Sequence, residues 1–302
     1  MSRYHTPVLL QESVKALNIL PGKTYLDLTF GGGGHSAEIL KNIDNTGKLL
    51  AFDQDAAAEK NAESFPQENF QFIKANFRYL KKFLKLYGQG KVGGILADLG
   101  ISSHQIDQAD RGFSTRESAP LDMRMDKGSG KSAWQVVNNS SASQLAQMLK
   151  TYGEVPNAWQ LAQAIVLERG KKNIDTTGEL VNLLSGFARK GKEYKYYAQV
   201  FQAIRIEVNE ELEALKEMLQ QSADVLEPGG RLVVIAYHSL EDRLVKNFMR
   251  SGKFAGEVEK DFYGNPLRPL KPLASKPIIP TTTEIAANRR ARSARLRVAA
   301  RT

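Results

Sequence analysis

The sequence predicts an α/β fold, a Rossmann-like parallel sheet with crossover helices, interrupted by an all-helical insertion. Three observations predict it. Short apolar runs alternate with helix-length segments over residues 25–99. That alternation stops after Leu99 and resumes near residue 195. A glycine-rich turn, TFGGGGHSAEIL over residues 29–40, joins the first apolar run to the first crossover segment.

An amphipathic lead spans residues 7–18, and the runs Tyr25–Leu28, Lys48–Phe52, Phe70–Ile73 and Gly94–Leu99 are each short enough to be a buried strand. From Ser102 to Lys127 the text is polar and too long for an ordinary connection, which marks a functional loop. Three helical segments follow with no strand between them. Ser141 is placed to cap the first, Pro156 to open the second with Gly170 beyond its end, and Thr176 to cap the third. Residues 108–194 therefore form the expected insertion, with 1–107 and 195–302 the two parts of the sheet domain. A long helix is expected over Tyr197–Val225, closed by Pro228, Gly229 and Gly230. RLVVIAYH then reads as a strand, SLEDRLVKNFMRSG as a helix, and RLRVAA as a half-exposed strand. The five prolines of FYGNPLRPLKPLASKPIIP make that stretch largely irregular.

Composition narrows the classes of function. The chain has 302 residues, 42% apolar and 25% charged, and can bury a sizeable core. Its net charge of +9 suits nucleic acid or an anionic surface. No run of 18 apolar residues exists and MSRYHTPVLL lacks a signal pattern, so a soluble, cytoplasmic protein without a membrane partner is expected. The absence of cysteine removes disulfides, thiolate metal sites and cysteine nucleophiles together. His5, His35, His104 and His238 do not stand at metal-ligand spacing, so no metal is expected.

A bare backbone between strand and helix lets a ligand approach the positive end of the helix dipole. Read as G-x-G-x-x-A, the frame is Gly32, Gly34 and Ala37, with Asp53 near the end of the second strand where a ribose-binding acid stands in dinucleotide folds. The same design serves nicotinamide, flavin and adenosylmethionine binders, and a tight packing turn needs no ligand at all. Asp27 in the first strand favours the sulfonium cofactor, because a pyrophosphate would be repelled there. Asp98, in ADLGISS, sits at the carboxyl edge of the sheet, where it either meets a ligand or caps its loop.

HTPVLLQESV, LDLTFGGGGHS, AFDQD, ADLGISSHQIDQADRGFS, PLDMRMD, FQAIRIEVNEEL, LEPGGRLVVIAYHSLEDRLVK and ARSARLRVA occur in this order. Together they resemble the bacterial small-subunit ribosomal RNA cytosine-N4 methyltransferases, the MraW family, over nearly the whole chain. PLDMRMD and HSLEDR are the most specific parts. Gly32 stands where that family often has a bulkier residue, and Ala119 precedes Pro120 where glycine is usual. The resemblance implies a class I adenosylmethionine-dependent methyltransferase sheet whose insertion recognises RNA. It implies S-adenosyl-L-methionine as cofactor and 16S ribosomal RNA, within the small subunit, as partner. It further implies that Gly33, Gly34 and His35 line the turn under the methionine part, Asp53 holds the ribose hydroxyls, Phe77 lies beside the adenine, Asp98 sits near the sulfur and Gln105 closes over it. Plain alternatives stand beside these: core packing for Phe77, a solvated loop for Gln105, a helix cap for His35.

Methylating an exocyclic cytosine amine requires alignment of N4 with the sulfonium methyl and an acceptor for an amine proton. Asp98 is the candidate catalytic acceptor; His238 is either a second candidate or a structural histidine. The DLGIS text lacks the proline and aromatic of the DNA amino-methyltransferase motif, so their mechanism does not transfer directly. Phe113 or Arg111 could stack on an extruded base. Met123 and Met125 read as packing residues, with Arg124 facing outward, and ERGKK, ARKGKEYKY and NRRARSARLR offer basic surface. The rival classes are a nicotinamide-dependent oxidoreductase on the same turn and a non-catalytic RNA-binding assembly factor.

Overall fold

Residues 7–302, apart from Gln67 and Ser129, are described by the computed structural model, with Ser103 and His104 described in backbone only; His5 of the opening motif lies outside the described residues. The chain divides into two compact units, Met1–Gly100 with Leu212–Thr302, and Ile101–Glu211. No described helix is long and apolar enough to cross a membrane.

The first unit runs α1 (Leu10–Leu17), β1 (Thr24–Asp27), α2 (Gly34–Asn42), β2 (Lys48–Asp53), α3 (Ala56–Ala62), β3 (Phe70–Lys74), α4 (Leu80–Leu86) and β4 (Val92–Asp98). The second holds α5 (Ser103–Asp107), α6 (Ala133–Asn139), α7 (Ala142–Gly153), α8 (Ala158–Arg169), α9 (Thr177–Ser185) and α10 (Glu193–Asn209). Helix α11 (Glu211–Val225) leads back to β5 (Leu226–Ala236), α12 (Ser239–Ser251), β6 (Leu270–Pro272), α13 (Thr282–Ala287) and β7 (Arg295–Arg301).

One sheet of order β3-β2-β1-β4-β5-β7-β6 results, parallel through β5 and antiparallel where β7 pairs β5 and β6. Both faces are apolar, as a doubly covered parallel sheet requires. Leu26, Leu50, Phe52, Ile95, Leu232 and Val234 point to one core with residues of α4, α11 and α12. Their chain neighbours Tyr25, Leu49, Ala51, Leu96, Val233 and Ile235 point to the other, with α1, α2 and α3. The reversal of strand order between β1 and β4 brings the carboxyl ends of β1, β2 and β4 to one edge, where such sheets bind ligands.

In the second unit α6–α10 bury Leu145, Leu149, Leu161, Leu180, Leu184 and Val200. Ser141 and Thr176 close capping boxes with Gln144 and Glu179, each satisfying an otherwise orphaned amide at the start of its helix. Helix α8 begins at Ala158 with Asn157 as its cap, so Pro156 precedes the helix instead of opening it.

Three further expectations need correction. The sheet domain was expected to resume at residue 195, but α10 buries Tyr196, Val200, Phe201, Ala203 and Ile204 in the second core, and that unit extends from Ile101 to Glu211. The long helix is two helices, because Glu210 adopts a left-handed φ of 50° that ends α10. An apolar face continuing through Val225 hid that break. The fifth strand stops at Ala236, two residues short of the expected His238, and starts before the Pro-Gly-Gly, with a register irregularity between Val92 and Gly94. The proline-rich stretch is largely irregular, as expected, apart from β6, a short edge strand where Pro272 is tolerated.

Candidate active site

Asp27 ends β1 with 1% of its surface exposed. Its Oδ1 accepts from the Thr29 amide at 3.1 Å and its Oδ2 from Ser36 Oγ at 2.6 Å. Burial raises its pKa above the ordinary carboxylate range, against the opposing pull of His35 and these hydrogen bonds. Asp53 ends β2, and its Oδ2 accepts from Gly31 N at 2.8 Å and its Oδ1 from Asp55 N at 2.8 Å. It holds the glycine turn in place, while each carboxylate oxygen keeps a second lone pair. Burial raises its pKa to about 6.

The turn itself answers first to folding. Gly31 and Gly33 take φ of 51° and 77°, a region costly to residues with a Cβ. A Cβ on Gly33 would also meet Phe65 Cζ at 2.5 Å and Phe30 Cζ at 2.8 Å, and one on Gly34 would meet Pro7 Cγ at 2.2 Å. The residues whose backbone demands glycine are thus Gly31 and Gly33, one position before the Gly32 and Gly34 of the sequence frame. Asn61 Nδ2 donates to the Gly31 carbonyl at 2.9 Å and fixes the far side of the turn.

His35 opens the first turn of α2 with 5% exposure. Its Nε2–H donates to the Val8 carbonyl at 3.2 Å, which leaves Nδ1 facing Asp98 Oδ2 at 3.8 Å. It therefore ties the lead segment to the turn and does not cap the helix. Asp98, the last residue of β4, has 22% of its side chain exposed. Its backbone N–H donates to Thr29 Oγ1 at 2.7 Å, and its Oδ1 accepts from the Tyr237 hydroxyl at 2.7 Å. Burial is the main cause that raises its pKa to about 6; His35 and the Tyr237 hydrogen bond pull it down, and Asp27 and Glu241 push it up. Burial and the neighbouring Asp98 push the Tyr237 phenol well above its usual value, so it remains a donor.

Thr29, Ser36 and Tyr237 escaped the sequence reading. The register Asp98↔Ile235 puts Tyr237 just beyond the end of the strand beside Asp98. Phe77 follows Asn76, whose side chain accepts from Arg78 N at 2.9 Å and donates to Gln54 Oε1 at 2.8 Å. Its ring is partly buried against the core that contains Phe52.

Gln105 belongs to the second unit and is 5% exposed, which removes the solvated-loop alternative. It pairs reciprocally with Ser102, accepting at Oε1 from Ser102 N at 3.0 Å and donating its own amide to Ser102 Oγ at 3.2 Å.

The long loop of that unit is a built structure. Arg111 is 5% exposed and donates to the carbonyls of Arg124 and Met125, both at 3.0 Å, with its guanidinium 5.7 Å from the Phe113 ring. Asn209 brackets the same loop from α10, accepting from Met125 N and donating to the Met123 carbonyl. Phe113, Met123 and Met125 are core residues. Arg111 and Phe113, expected to be free to stack on a base, are instead consumed in holding PLDMRMD. Arg124 is only partly exposed, its guanidinium clamped by both oxygens of Asp122 at 2.8 and 2.9 Å.

HSLEDR is structural in the same sense. His238 Nδ1 accepts from Glu241 N at 3.4 Å as the cap of α12, and Glu241 Oε2 accepts from Tyr237 N at 2.9 Å. This use of Nδ1 favours the structural reading of His238. Asp242 receives Arg297 through Nε at 2.6 Å and Nη2 at 3.1 Å, and Arg295 through Nη1 at 3.0 Å. HSLEDR and RLRVA thus stand together through helix and strand, Asp242 of α12 holding Arg295 and Arg297 of β7.

Residues 2–302 match the family model of the MraW methylase family. The chain belongs to that family. Curated relatives named Ribosomal RNA small subunit methyltransferase H include one from Cytophaga hutchinsonii, 60% identical over 298 residues and covering 99% of both chains. Another, from Amoebophilus asiaticus, is 53% identical over 301 residues and covers 100% of this chain and 97% of the relative. Among solved structures, an rRNA methylase from Streptococcus thermophilus matches with a TM-score of 0.42 at 11% identity over 96% of this chain and 94% of that one. As a member of the MraW methylase family the chain is an adenosylmethionine-dependent methyltransferase on a Rossmann-like sheet.

Proposed function

We propose that this protein transfers a methyl group from S-adenosyl-L-methionine to the exocyclic N4 of a decoding-centre cytosine in 16S ribosomal RNA, within the small subunit. The observation that carries the site assignment is the meeting of Asp27, Asp53 and Asp98 at the carboxyl ends of three adjacent strands, beside the glycine turn. All three are pushed toward the protonated form by burial. Such a site favours a ligand that brings positive charge and hydroxyl donors, and adenosylmethionine brings an ammonium, a sulfonium and a ribose diol. A pyrophosphate would meet three carboxylates.

Gly33, Gly34 and His35 line the methionine part, Asp53 accepts from the ribose hydroxyls and Phe77 flanks the adenine. Asp98 faces the sulfur end. When bound, the cofactor supplies a sulfonium methyl for in-line displacement by N4. Asp98 Oδ2 accepts the proton that N4 loses, while the Tyr237 hydroxyl keeps Oδ1 oriented. With a pKa near 6, Asp98 is a better base than an ordinary aspartate and is still ionised at neutral pH. The helical unit engages the RNA, since it adds surface beyond the cofactor sheet.

Calorimetry with adenosylmethionine, adenosylhomocysteine and nicotinamide dinucleotides tests the cofactor, and binding of the last alone would overturn it. Mass mapping of 16S ribosomal RNA from cells lacking the protein tests the acceptor. The expected result is loss of one methyl at a decoding-centre cytosine N4; an unchanged map refutes the assignment.

A further inference from the structure

Between α12 and the edge strand β6 the chain folds a small finger that the site does not use. Leu267 N donates to the Glu259 carbonyl at 2.8 Å, Asp261 N to the Asn265 carbonyl at 2.9 Å, and Lys260 bridges Pro266. Asp261 closes the tip: its Oδ1 accepts from the amides of Tyr263 and Asn265 at 2.9 and 2.8 Å, and its Oδ2 from Asn265 Nδ2 at 3.0 Å. Gly264, at φ 84°, makes the reversal. The tip then presents Phe262 with 97% and Tyr263 with 85% of their surface exposed, their rings 5.6 Å apart and nearly perpendicular.

Two aromatic rings held in water by a preorganised turn contribute nothing to the core and expose apolar area at a cost. Charge around them indicates the partner. Asp261 is engaged by three N–H donors and Glu259 by Lys253, whereas Lys260 is exposed within the finger and Lys271 on β6, which follows it. Aromatic faces with flanking cations are the chemistry that recognises unpaired bases and their phosphates.

We propose that the finger of residues 259–267 is a second RNA contact, in which Phe262 and Tyr263 stack on unpaired bases of the ribosomal substrate other than the methylated cytosine. It rests on the ribosomal RNA reading above. The finger precedes β6, at the edge of the sheet far from β1, β2 and β4, so it adds affinity and register without touching the reacting atoms.

The test uses small ribosomal subunits from cells lacking the protein, with the unaltered chain, Phe262→Ala/Tyr263→Ala, Phe262→Leu and Phe262→Trp. Subunit binding is measured directly by filter retention, independently of turnover, together with kcat, KM and adenosylmethionine affinity. The double variant is expected to bind subunits at least roughly 30-fold more weakly, two aromatic–base stacks at the low end of their range. Its kcat and its cofactor affinity should stay within twofold. Phe262→Trp should retain binding and Phe262→Leu should lose it. Ultraviolet cross-linking should attach nucleotides to the peptide carrying Phe262 and Tyr263. Unchanged binding in the double variant, full rescue by leucine, or cross-links to a ribosomal protein alone would overturn the proposal. Normal subunit binding without methyl transfer by the unaltered chain would instead overturn the functional reading.

Discussion

Replacing Asp98 with asparagine separates the energetic burden of that residue from its chemistry. Burial lifts its pKa from 3.8 to about 6, so holding it ionised at neutral pH costs ~3 kcal/mol of folding stability. The folded-state pKa lies above the unfolded one, so the native chain binds the proton more tightly. Stability is full below pH ~4 and is lost as pH rises through about 6. Asparagine has no charge to desolvate and its Oδ1 still accepts from the Tyr237 hydroxyl. Asp98→Asn is therefore expected to be more stable than the unaltered chain by up to ~3 kcal/mol at pH 8, with the gain vanishing near pH 4. Methyl transfer should fall by about 10²-fold or more, as expected for loss of a proton acceptor. Urea unfolding of both chains at several values between pH 4 and 8, with single-turnover methylation of small subunits, measures both effects. A stability difference constant across that range, or transfer within twofold of normal, would refute the reasoning.

Asp53→Ala removes the anchor of Gly31 and the proposed ribose acceptor, and should weaken adenosylmethionine binding by about 10- to 100-fold by calorimetry, an effect of about 1.4–2.8 kcal/mol. Gly33→Ala meets both a φ of 77° and the Phe65 and Phe30 rings, and should cost ~2–4 kcal/mol in urea unfolding; no loss would mean that the turn relaxes freely. Asp242→Ala leaves two arginines without their carboxylate and should destabilise by ~3 kcal/mol. Burial pushes the Asp242 pKa up, but the two arginines together outweigh it and hold the pKa below its ordinary value, so the unaltered chain loses this stabilisation only as pH falls below the ordinary carboxylate range, and the difference between the two chains should shrink there.

Much of the sheet is legible in the sequence because a parallel strand buried on both faces is a short, continuous apolar run. Lys48–Phe52 and Gly94–Leu99 stand out for that reason, and Asp53 and Asp98 were placed at strand ends simply by where those runs stop. The insertion announced itself through Ser141 and Thr176, since a capping side chain three residues ahead of a Gln or Glu is a local signal. Boundaries set by tertiary partners were not legible. Helix α10 carries the same apolar spacing whichever core receives it, and one left-handed residue, Glu210, separates it from α11 without any glycine to mark the break. Arg111 and Phe113 looked available because an exposed and a buried arginine are the same letter; only the carbonyls of Arg124 and Met125 show where the guanidinium goes. Tyr237 could be tied to Asp98 only once the β4–β5 register was known, and that register spans the whole insertion.

Strand β7 comes after β6 in the chain but lies between β5 and β6 in space. Until residues 295–301 have been made, β5 has an unsatisfied edge and β6 has no sheet to join. The helical unit, by contrast, is complete in sequence before β5 emerges and can shorten the effective loop between β4 and β5 by folding first. During synthesis this chain therefore has its insertion in place early and its cofactor sheet last. A stalled or truncated product would carry an open, aggregation-prone strand edge beside an otherwise well-formed helical unit.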